Sequence, residues 1–298
     1  MSNKKTAVAL GSFDGVHIGH AAVLERALGF KSEYGFIPTA LLFKRHPQEC
    51  FGKKTSLLTS YKKRNELIEK AGLKIFEIDF PDVKDMSAEE FVEEIIIKRL
   101  NAGAVLCGYN YHFGKNSSGN CKTLEKICKK NGVIVSVADK VVSNGVPVSS
   151  SEIRRLISEG NIVLANKMLG REFSFDGKVF FGASNGKKLG FPTANQYFEK
   201  NMVVPKIGVY ASSCVIEGKE YFGFTDIGTR PTFDNGEVRA ETHLFGLDRE
   251  LYGENIEVKL YTFLREEIKF PNKEALISQL NLDREKVKKY FELTDAQQ

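Results

Sequence analysis

The chain has 298 residues, of which 42% are apolar and 27% are charged, and its formal net charge is +5. These proportions are ordinary for a globular protein and exclude collagen-like, coiled-coil and intrinsically disordered classes. Because a single core becomes strained near this length, we expect two domains.

The first half of the chain alternates short apolar runs with longer mixed segments. The runs predict buried strands at residues 6–10, 39–43, 75–78 and 104–107. Helical spacing of apolar residues predicts helices over 20–27, 62–71 and 88–100. Strands that alternate with helices favour a parallel sheet with crossover helices.

The second half has a shorter rhythm. From residue 171 to about 264, runs rich in Val, Phe, Tyr and Thr are interrupted by Gly, Asn and Asp, which predicts a small antiparallel β-barrel. Residues 273–293 predict a C-terminal helix, and residues 158–171 a short helix that ends near Gly170. The sequence therefore divides into predicted domains 1–170 and 171–298.

The positive charge belongs to the first of these domains. Residues 1–170 hold 25 Lys and Arg against 18 Asp and Glu, and residues 171–298 hold 18 against 20. A basic first domain (net +7) indicates anionic partners without choosing between nucleotide, RNA and membrane.

Five cysteines are scattered along the chain and never have C-x-x-C spacing. This pattern favours free thiols in a reducing compartment over a disulfide framework or a zinc site. The N-terminus lacks the apolar region of a secretion signal, and no apolar run approaches the ~18 residues of a membrane span. We therefore expect a cytoplasmic protein.

The first predicted strand leads into GSFDGVHIGH, residues 11–20. Glycines let the backbone approach a ligand closely, and the start of a helix favours an anion. His17 and His20 share a helix face, so both can donate to phosphate oxygens and stabilise charge that develops during phosphoryl displacement. The phosphate-binding candidates in this segment are Gly11, Phe13, Asp14, Gly15 and Gly19.

An H-x-G-H directly after the first strand resembles the adenylyl/cytidylyl-transferase superfamily, which has a Rossmann-like fold and uses this signature on ATP. Class I aminoacyl-tRNA synthetases carry a similar signature together with a K-M-S-K-S loop, which is not found in this sequence. Instead the chain has VSSSEIRR, residues 148–155. Its serines are good N-cap residues, and Arg154 would lie in the first turn, within reach of ATP phosphates.

Together the two segments resemble the bacterial bifunctional riboflavin kinase/FAD synthetase family. Ser150 and Ser151 match that family's S-S-T-x-I-R with a serine in place of threonine, and Arg45 departs from its F-x-P-H-P. GYNYHFGK, residues 108–115, also matches, so the resemblance implies flavin-side roles for Tyr109, Asn110 and Phe113; core packing is the alternative for the aromatic residues.

GASNGKKLGFPTAN, residues 182–195, resembles the family's riboflavin kinase segment. Gly182 and Gly186 would let a loop fold over phosphates, and Lys187 stands where the family commonly has Arg. Thr193 and Asn195 offer hard oxygen ligands of the kind that Mg²⁺ prefers.

The last motif, ETHLF, begins at Glu241. The resemblance makes Glu241 the general base for the terminal ribityl hydroxyl of riboflavin, whereas a lone Glu in a strand would otherwise be a solvated position. His243 is expected to be structural rather than catalytic, and Arg265 and Glu267 are candidate flavin contacts.

The resemblance implies an α/β Rossmann-like nucleotidyltransferase domain (parallel sheet) followed by a small antiparallel β-barrel riboflavin kinase domain with a C-terminal helix. It implies two reactions, phosphorylation of riboflavin to FMN by ATP and adenylylation of FMN to FAD, with Mg²⁺ as cofactor. Catalysis is assigned to Glu241 in the kinase and to His17, His20 and Arg154 in the adenylyltransferase.

Small molecules are the expected partners, with neither nucleic acid nor membrane, and the chain is expected to be a monomer or a weak homo-oligomer. The alternatives are an RNA-binding or tRNA-charging protein, or a flavin-binding sensor with degenerate catalysis.

Overall fold

The structure is a computed structural model that describes residues 4–52, 54–182, 186, 189–229 and 237–292. The chain divides into two compact units, Met1–Glu152 and Ile153–Gln298. Within the described ranges, no helix is both long and apolar enough to cross a membrane.

The first unit is built on a five-stranded parallel sheet with strand order β3-β2-β1-β4-β7. Its strands are β1 (Thr6–Leu10), β2 (Ile37–Phe43), β3 (Lys74–Ile78), β4 (Ala102–Gly108), β5 (His112–Phe113), β6 (Gly119–Asn120), β7 (Ile134–Ala138), β8 (Val142–Ser143) and β9 (Val146–Pro147). Its helices are α1 (Ile18–Tyr34), α2 (Tyr61–Lys70), α3 (Phe80–Val83), α4 (Ala88–Glu90) and α5 (Cys121–Lys130), and α6 (Ser150–Ser158) begins in it.

The three central strands β2, β1 and β4 are buried on both faces, which explains their continuous apolar runs. In β1, Ala7 and Ala9 pack on the side of α1, whereas Val8 and Leu10 pack on the opposite side. The chain runs from β1 outward to β3 and then returns to β4 on the other side of β1. The carboxyl ends of β1 and β4 therefore form the switch point at which open α/β sheets bind ligands.

The four predicted strands and the parallel sheet are confirmed, but β3, which was predicted to be buried, is half-buried or exposed at every residue except Ile78. The first helix continues past residue 27 to Tyr34, and Gly35 ends it with a φ of 71°. The helix predicted over 88–100 begins with a capping box between Ser87 and Glu90 and then becomes π-helical over Phe91–Arg99. Edge strand β7 was not predicted, because its residues are half-buried or exposed and lack a buried apolar run.

The second unit is a six-stranded antiparallel sheet with order β10-β15-β12-β13-β14-β11. Its elements are α7 (Ile162–Leu169), β10 (Phe173–Lys178), β11 (Ala194–Tyr197), β12 (Gly208–Ile216), β13 (Lys219–Thr229), β14 (Val238–Leu244), β15 (Asn255–Arg265) and α8 (Lys273–Phe291).

The two edges of this sheet meet, so the predicted barrel is confirmed as a nearly closed one. The Phe180 N–H donates to the Asn195 carbonyl at 2.9 Å, and Gln196 Nε2 donates to the Gly177 carbonyl at 2.8 Å. The first bond joins two backbone groups, and the second joins a side-chain amide to a backbone carbonyl; both satisfy groups that would otherwise be exposed along the sheet edges.

Helices α7 and α8 are both attached to the barrel. Asn166 of α7 donates to the Leu260 carbonyl at 2.9 Å and accepts from the Phe173 N–H at 2.7 Å. Asp283 of α8 is fully buried and receives the Arg265 guanidinium, with Nη2 to Oδ2 at 2.8 Å. The predicted C-terminal helix is confirmed, and it covers one outer face of the barrel.

Candidate functional sites

The first unit contains a cleft of ≈ 740 Å³ at the carboxyl ends of β1 and β4. This volume is within the usual range for a site that holds a small organic ligand. The sequence-predicted residues that line it are Gly11, His17, Gly19, His20, Tyr109, Asn110, Phe113, Ser150 and Ser151. The fold thus brings together residues from three predicted motifs.

The two predicted histidines form a stacked pair at the start of α1. Their ring centroids are 3.6 Å apart, and the rings are nearly parallel, at 11°. His17 is the N-cap of α1, since its Nδ1 accepts the His20 backbone N–H at 3.2 Å. That bond requires an unprotonated Nδ1, so the Nε2 of a neutral His17 carries the proton and can donate it to an anion.

Gly19 fits closely against this stack. A Cβ atom at position 19 would lie 3.1 Å from His17 Cε1 and 3.2 Å from His17 Nδ1. The glycine therefore leaves room for the His17 ring to cap the helix.

A second helix start lines the same cleft. Ser149 Oγ accepts the Glu152 N–H at 3.2 Å and so caps α6, and Ser150 Oγ donates to the Asp14 carbonyl at 3.0 Å. The remaining free backbone N–H groups of a helix N-terminus favour a negatively charged ligand. Arg154 is the fifth residue of α6, in its second turn, not in its first turn as predicted.

Phe13, Asp14 and Gly15 shape the loop that holds the histidines. Phe13 is fully buried with a φ of 51°, and Gly15 has a φ of 81°. The buried Asp14 carboxylate accepts the Leu58 N–H at 2.8 Å. The structure therefore gives Asp14 a loop-anchoring bond, which is a use that the sequence motif did not indicate.

The aromatic residues after β4 fall into two groups. Tyr109 is 47% exposed and lies on the cleft wall, whereas Phe113 is 6% exposed and packs against Phe91. Phe113 is thus mainly a core residue that also borders the cleft. Sequence reasoning missed Phe51 and Phe80, which also line the cleft and have ring centroids 5.8 Å apart. The available signal was FKRHP, residues 43–47, the segment that contains Arg45 and precedes Phe51.

In the second unit, Glu241 lies on β14 between two polar neighbours. Its backbone is paired with Asn195 on β11 and with Asp226 on β13. Residues that are directly opposite in an antiparallel sheet place their side chains on the same face. The Arg239 guanidinium, whose side chain is 7% exposed, forms an ion pair with the Glu241 carboxylate.

The predicted metal ligands are adjacent to each other. Asn195 Nδ2 donates to Thr193 Oγ1 at 3.3 Å. The Asn195 Oδ1 oxygen is not used by this bond and lies on the same side-chain amide, close to the Thr193 hydroxyl. Gly182 lies against this amide, because a Cβ at position 182 would be 2.8 Å from Asn195 Nδ2. Gly186 is equally constrained, since its Cβ would lie 2.3 Å from the Phe191 carbonyl oxygen.

A cavity of ≈ 280 Å³ adjoins Gly182, Thr193 and Asn195. Its other walls include Leu247, Leu251 and Tyr252. Sequence reasoning missed Leu247, whereas Leu251 and Tyr252 belong to LYG, residues 251–253, a segment that also resembles the family. Lys187 and residues 230–236, which precede β14, lie outside the described residues. Across the described parts of the chain, no three His, Cys, Asp or Glu side chains are grouped so that they could hold a metal ion.

The predicted flavin contacts Arg265 and Glu267 have different surroundings. Arg265 is engaged with Asp283, with Nε 2.9 Å from Oδ2. Glu267 places its Oε1 where a side chain on Gly228 would be, since a Cβ there would be 2.1 Å from that oxygen. Partial burial raises the pKa of Glu267, and the nearby charge of Glu241 acts in the same direction. Glu267 therefore lies close to the Glu241 cluster.

His243 makes a hydrogen bond to the segment that contains Thr193. Its Nδ1 is 2.8 Å from the Pro192 carbonyl oxygen, so the neutral ring donates there. Burial lowers the pKa of His243 to about 4, and the charge of Arg284 acts in the same direction. This geometry agrees with the structural role expected for His243.

Comparison with known proteins gives the same family for both units. The family model described as FAD synthetase matches residues 1–152, and the one described as riboflavin kinase matches residues 169–291. A bifunctional riboflavin kinase/FMN adenylyltransferase of Buchnera aphidicola subsp. Schizaphis graminum is 35% identical, over 98% of this chain and 96% of that protein. One from Listeria monocytogenes is 33% identical, over 95% and 92%.

A crystal structure described as a macrolide-efflux protein from Streptococcus pneumoniae has a similar fold. The TM-score is 0.88 with 26% sequence identity, covering 97% of this chain and 95% of that one. Neither the RNA-related nor the sensor alternative is supported by these matches. By its two family matches and its full-length relatives, the chain belongs to the bifunctional riboflavin kinase/FMN adenylyltransferase family.

Proposed function

We propose that this chain makes FAD from riboflavin in two ATP-dependent steps. The second unit transfers the γ-phosphoryl group of ATP to the terminal ribityl hydroxyl of riboflavin, giving FMN and ADP. The first unit joins FMN to the AMP part of a second ATP and releases pyrophosphate. The observation that carries the proposal is that each family motif set converges within its own unit, the histidine pair at one cleft and Glu241 beside Asn195 on the barrel.

In the kinase step, Glu241 accepts the proton of the attacking hydroxyl. The ion pair with the Arg239 guanidinium fixes the direction of this carboxylate. No covalent intermediate is needed, since positioning and electrostatics account for most of the catalysis of phosphoryl transfer.

In the adenylyl-transfer step, an FMN phosphate oxygen attacks the α-phosphorus of ATP. His17 Nε2, His20 and the two helix starts hold the phosphates and stabilise the charge that develops on them. Arg154 is proposed as a further cation for the same phosphates. Tyr109 and Asn110 are proposed to contact the flavin from the cleft wall.

Magnesium is proposed as the cofactor, and the donor set of the barrel fits it in part. Thr193 and Asn195 would supply two neutral oxygens, and Mg²⁺ commonly completes its shell with phosphates and water. The ion would neutralise charge on the transferred phosphoryl group. Lys187 and the loop of Gly182 and Gly186 are proposed to bind the phosphates beside it.

We further propose domains 1–170 and 171–298, a cytoplasmic location, small molecules rather than nucleic acid or membrane as partners, and a monomer or weak homo-oligomer.

A single chromatographic assay with riboflavin and Mg-ATP tests both activities. The wild-type chain should produce FMN and then FAD. Glu241→Gln should stop FMN formation and leave the conversion of added FMN to FAD intact, whereas His20→Ala should do the reverse. Each variant thus controls for the folding of the other unit. Equal loss of both activities in either variant would contradict the assignment of one reaction to each unit.

A further inference from the structure

Asp226 is a carboxyl group in the barrel that the proposed reaction does not yet use. It lies on β13, directly opposite Glu241 on β14. Side chains in such a pair have Cβ atoms about 5 Å apart. Strand β14 separates Asp226 from Asn195 on β11, so Asp226 is not itself next to the proposed metal ligands.

The two carboxyl groups have unequal surroundings. Glu241 is paired with the Arg239 guanidinium. The Asp226 Oδ1 atom is buried and, among the described residues, has no hydrogen-bond partner. A buried charge without such a partner is costly, so Asp226 is the one of the two carboxyl groups that favours the protonated form.

The other charges around Asp226 favour the same distribution. Among the described residues, those that act on it are Glu241, Glu267, Arg265 and Asp283. The Arg265 guanidinium is bound by Asp283 and is therefore largely neutralised. Burial raises the pKa of Asp226 to about 7, and the charges of Glu267 and Glu241 act in the same direction, whereas Arg265 opposes them.

We infer that Asp226 is a positioning residue of the kinase step, which acts through Glu241 by carrying a proton in the working enzyme. A neutral Asp226 leaves Glu241 as the ionised member of the pair, ready to accept the hydroxyl proton. When Asp226 ionises at alkaline pH, a second negative charge lies beside Glu241. The kinase step then slows because like charges oppose each other in a site of low dielectric constant. This inference rests on the proposed kinase function.

The test is the pH profile of riboflavin phosphorylation between pH 6 and pH 9.5, measured with the full chain. In the wild type, kcat/KM should fall about tenfold between pH 8 and pH 9, as expected for loss of one required proton. Asp226→Asn carries no charge at any pH, so its kcat/KM should stay within about twofold over the same interval. Its value at pH 7 should lie within about threefold of the wild type. Glu274→Gln, which removes an exposed carboxylate in the first turn of α8, should keep the wild-type profile.

Three outcomes would overturn the inference: an alkaline fall in Asp226→Asn as steep as in the wild type, no alkaline fall in the wild type, or a folded Asp226→Asn that is inactive at pH 7. If Asp226→Asn does not fold, Asp226→Ser replaces it with the same expected profile.

A carboxyl NMR titration of ¹³C-aspartate-labelled full-length chain, without substrates, tests the proton itself. One aspartate signal should titrate near neutral pH and be missing in Asp226→Asn, and its absence in the wild type would also overturn the inference. If the wild type forms no FMN at any pH, the proposed kinase function fails, while this titration still decides whether Asp226 holds the proton.

Discussion

His243 gives the barrel a pH dependence that can be calculated. It is the single histidine of the sequence after residue 152, so any histidine titration in the second unit comes from His243. The ring is buried among Phe191, Phe224 and Phe245 and donates to the Pro192 carbonyl. We expect His243→Asn, which keeps a donor for that carbonyl but cannot titrate, to remove this part of the pH dependence.

The sign follows from the two pKa values. The pKa of His243 is lowered from 6.5 to about 4 in the folded chain, so below pH 6.5 the unfolded chain binds the proton first. The stabilisation is therefore fully present above pH 6.5 and is lost as the pH falls towards 4. At pH 5.0 the linkage relation gives a loss of about 2 kcal/mol relative to pH 7.5, for the wild type compared with the variant.

Because the two units need not unfold together, the measurement should be local. Hydrogen exchange of the β14 amides in urea, corrected for the intrinsic pH dependence of exchange, gives the free energy of unfolding of the barrel at pH 7.5 and pH 5.0. Carboxylates that titrate in both proteins cancel in the difference. The reasoning is refuted if the wild type and His243→Asn lose the same free energy of unfolding, within about 0.5 kcal/mol, over this interval.

Three further predictions use the geometry of other residues. Gly19→Ala should lower FMN adenylylation at least tenfold by displacing the His17 ring, with riboflavin phosphorylation unchanged; Gly29→Ala in the same helix, where a new Cβ meets only Glu33 at 3.8 Å, should leave both activities intact. Asp283→Ala should lower the free energy of unfolding of the barrel by about 3 kcal/mol in urea denaturation, because it removes the carboxylate partner of the Arg265 guanidinium. A loss below about 1 kcal/mol would contradict the prediction that this ion pair stabilises the barrel. A fragment that starts at Ile153 should be more stable than one that starts at Arg171 by about 2 kcal/mol, because the shorter one lacks the two hydrogen bonds of Asn166; equal melting curves would show that α7 is dispensable.

The sequence predicted the features that depend on local pattern. Strands buried on both faces appear as continuous apolar runs, which is why β1 was predicted with its observed ends. Edge strand β7 has no such run, because its residues are half-buried or exposed. The π-helical segment Phe91–Arg99 was not predictable, because its apolar spacing is also that of an α-helix.

The candidate sites were predictable where a motif carries the residue and not where only the fold brings residues together. Both histidines and Glu241 stand in recognisable motifs. Phe80 and Asp226 become neighbours of the sites only through the packing of distant segments and the strand register. Arg265 was predicted as a flavin contact, but its ion pair with Asp283 was not predictable, because Asp283 lies on a different element.

The capping role of His17 constrains how this protein can be stabilised. Asn, Asp and Ser are better N-cap residues, so a design procedure that scores helix starts alone would replace the histidine. Such a change would strengthen α1 and delete an Nε2–H donor of the cleft in the same step. Position 17 is therefore one at which thermal stability and turnover should respond in opposite directions, and engineering for robustness should leave it untouched.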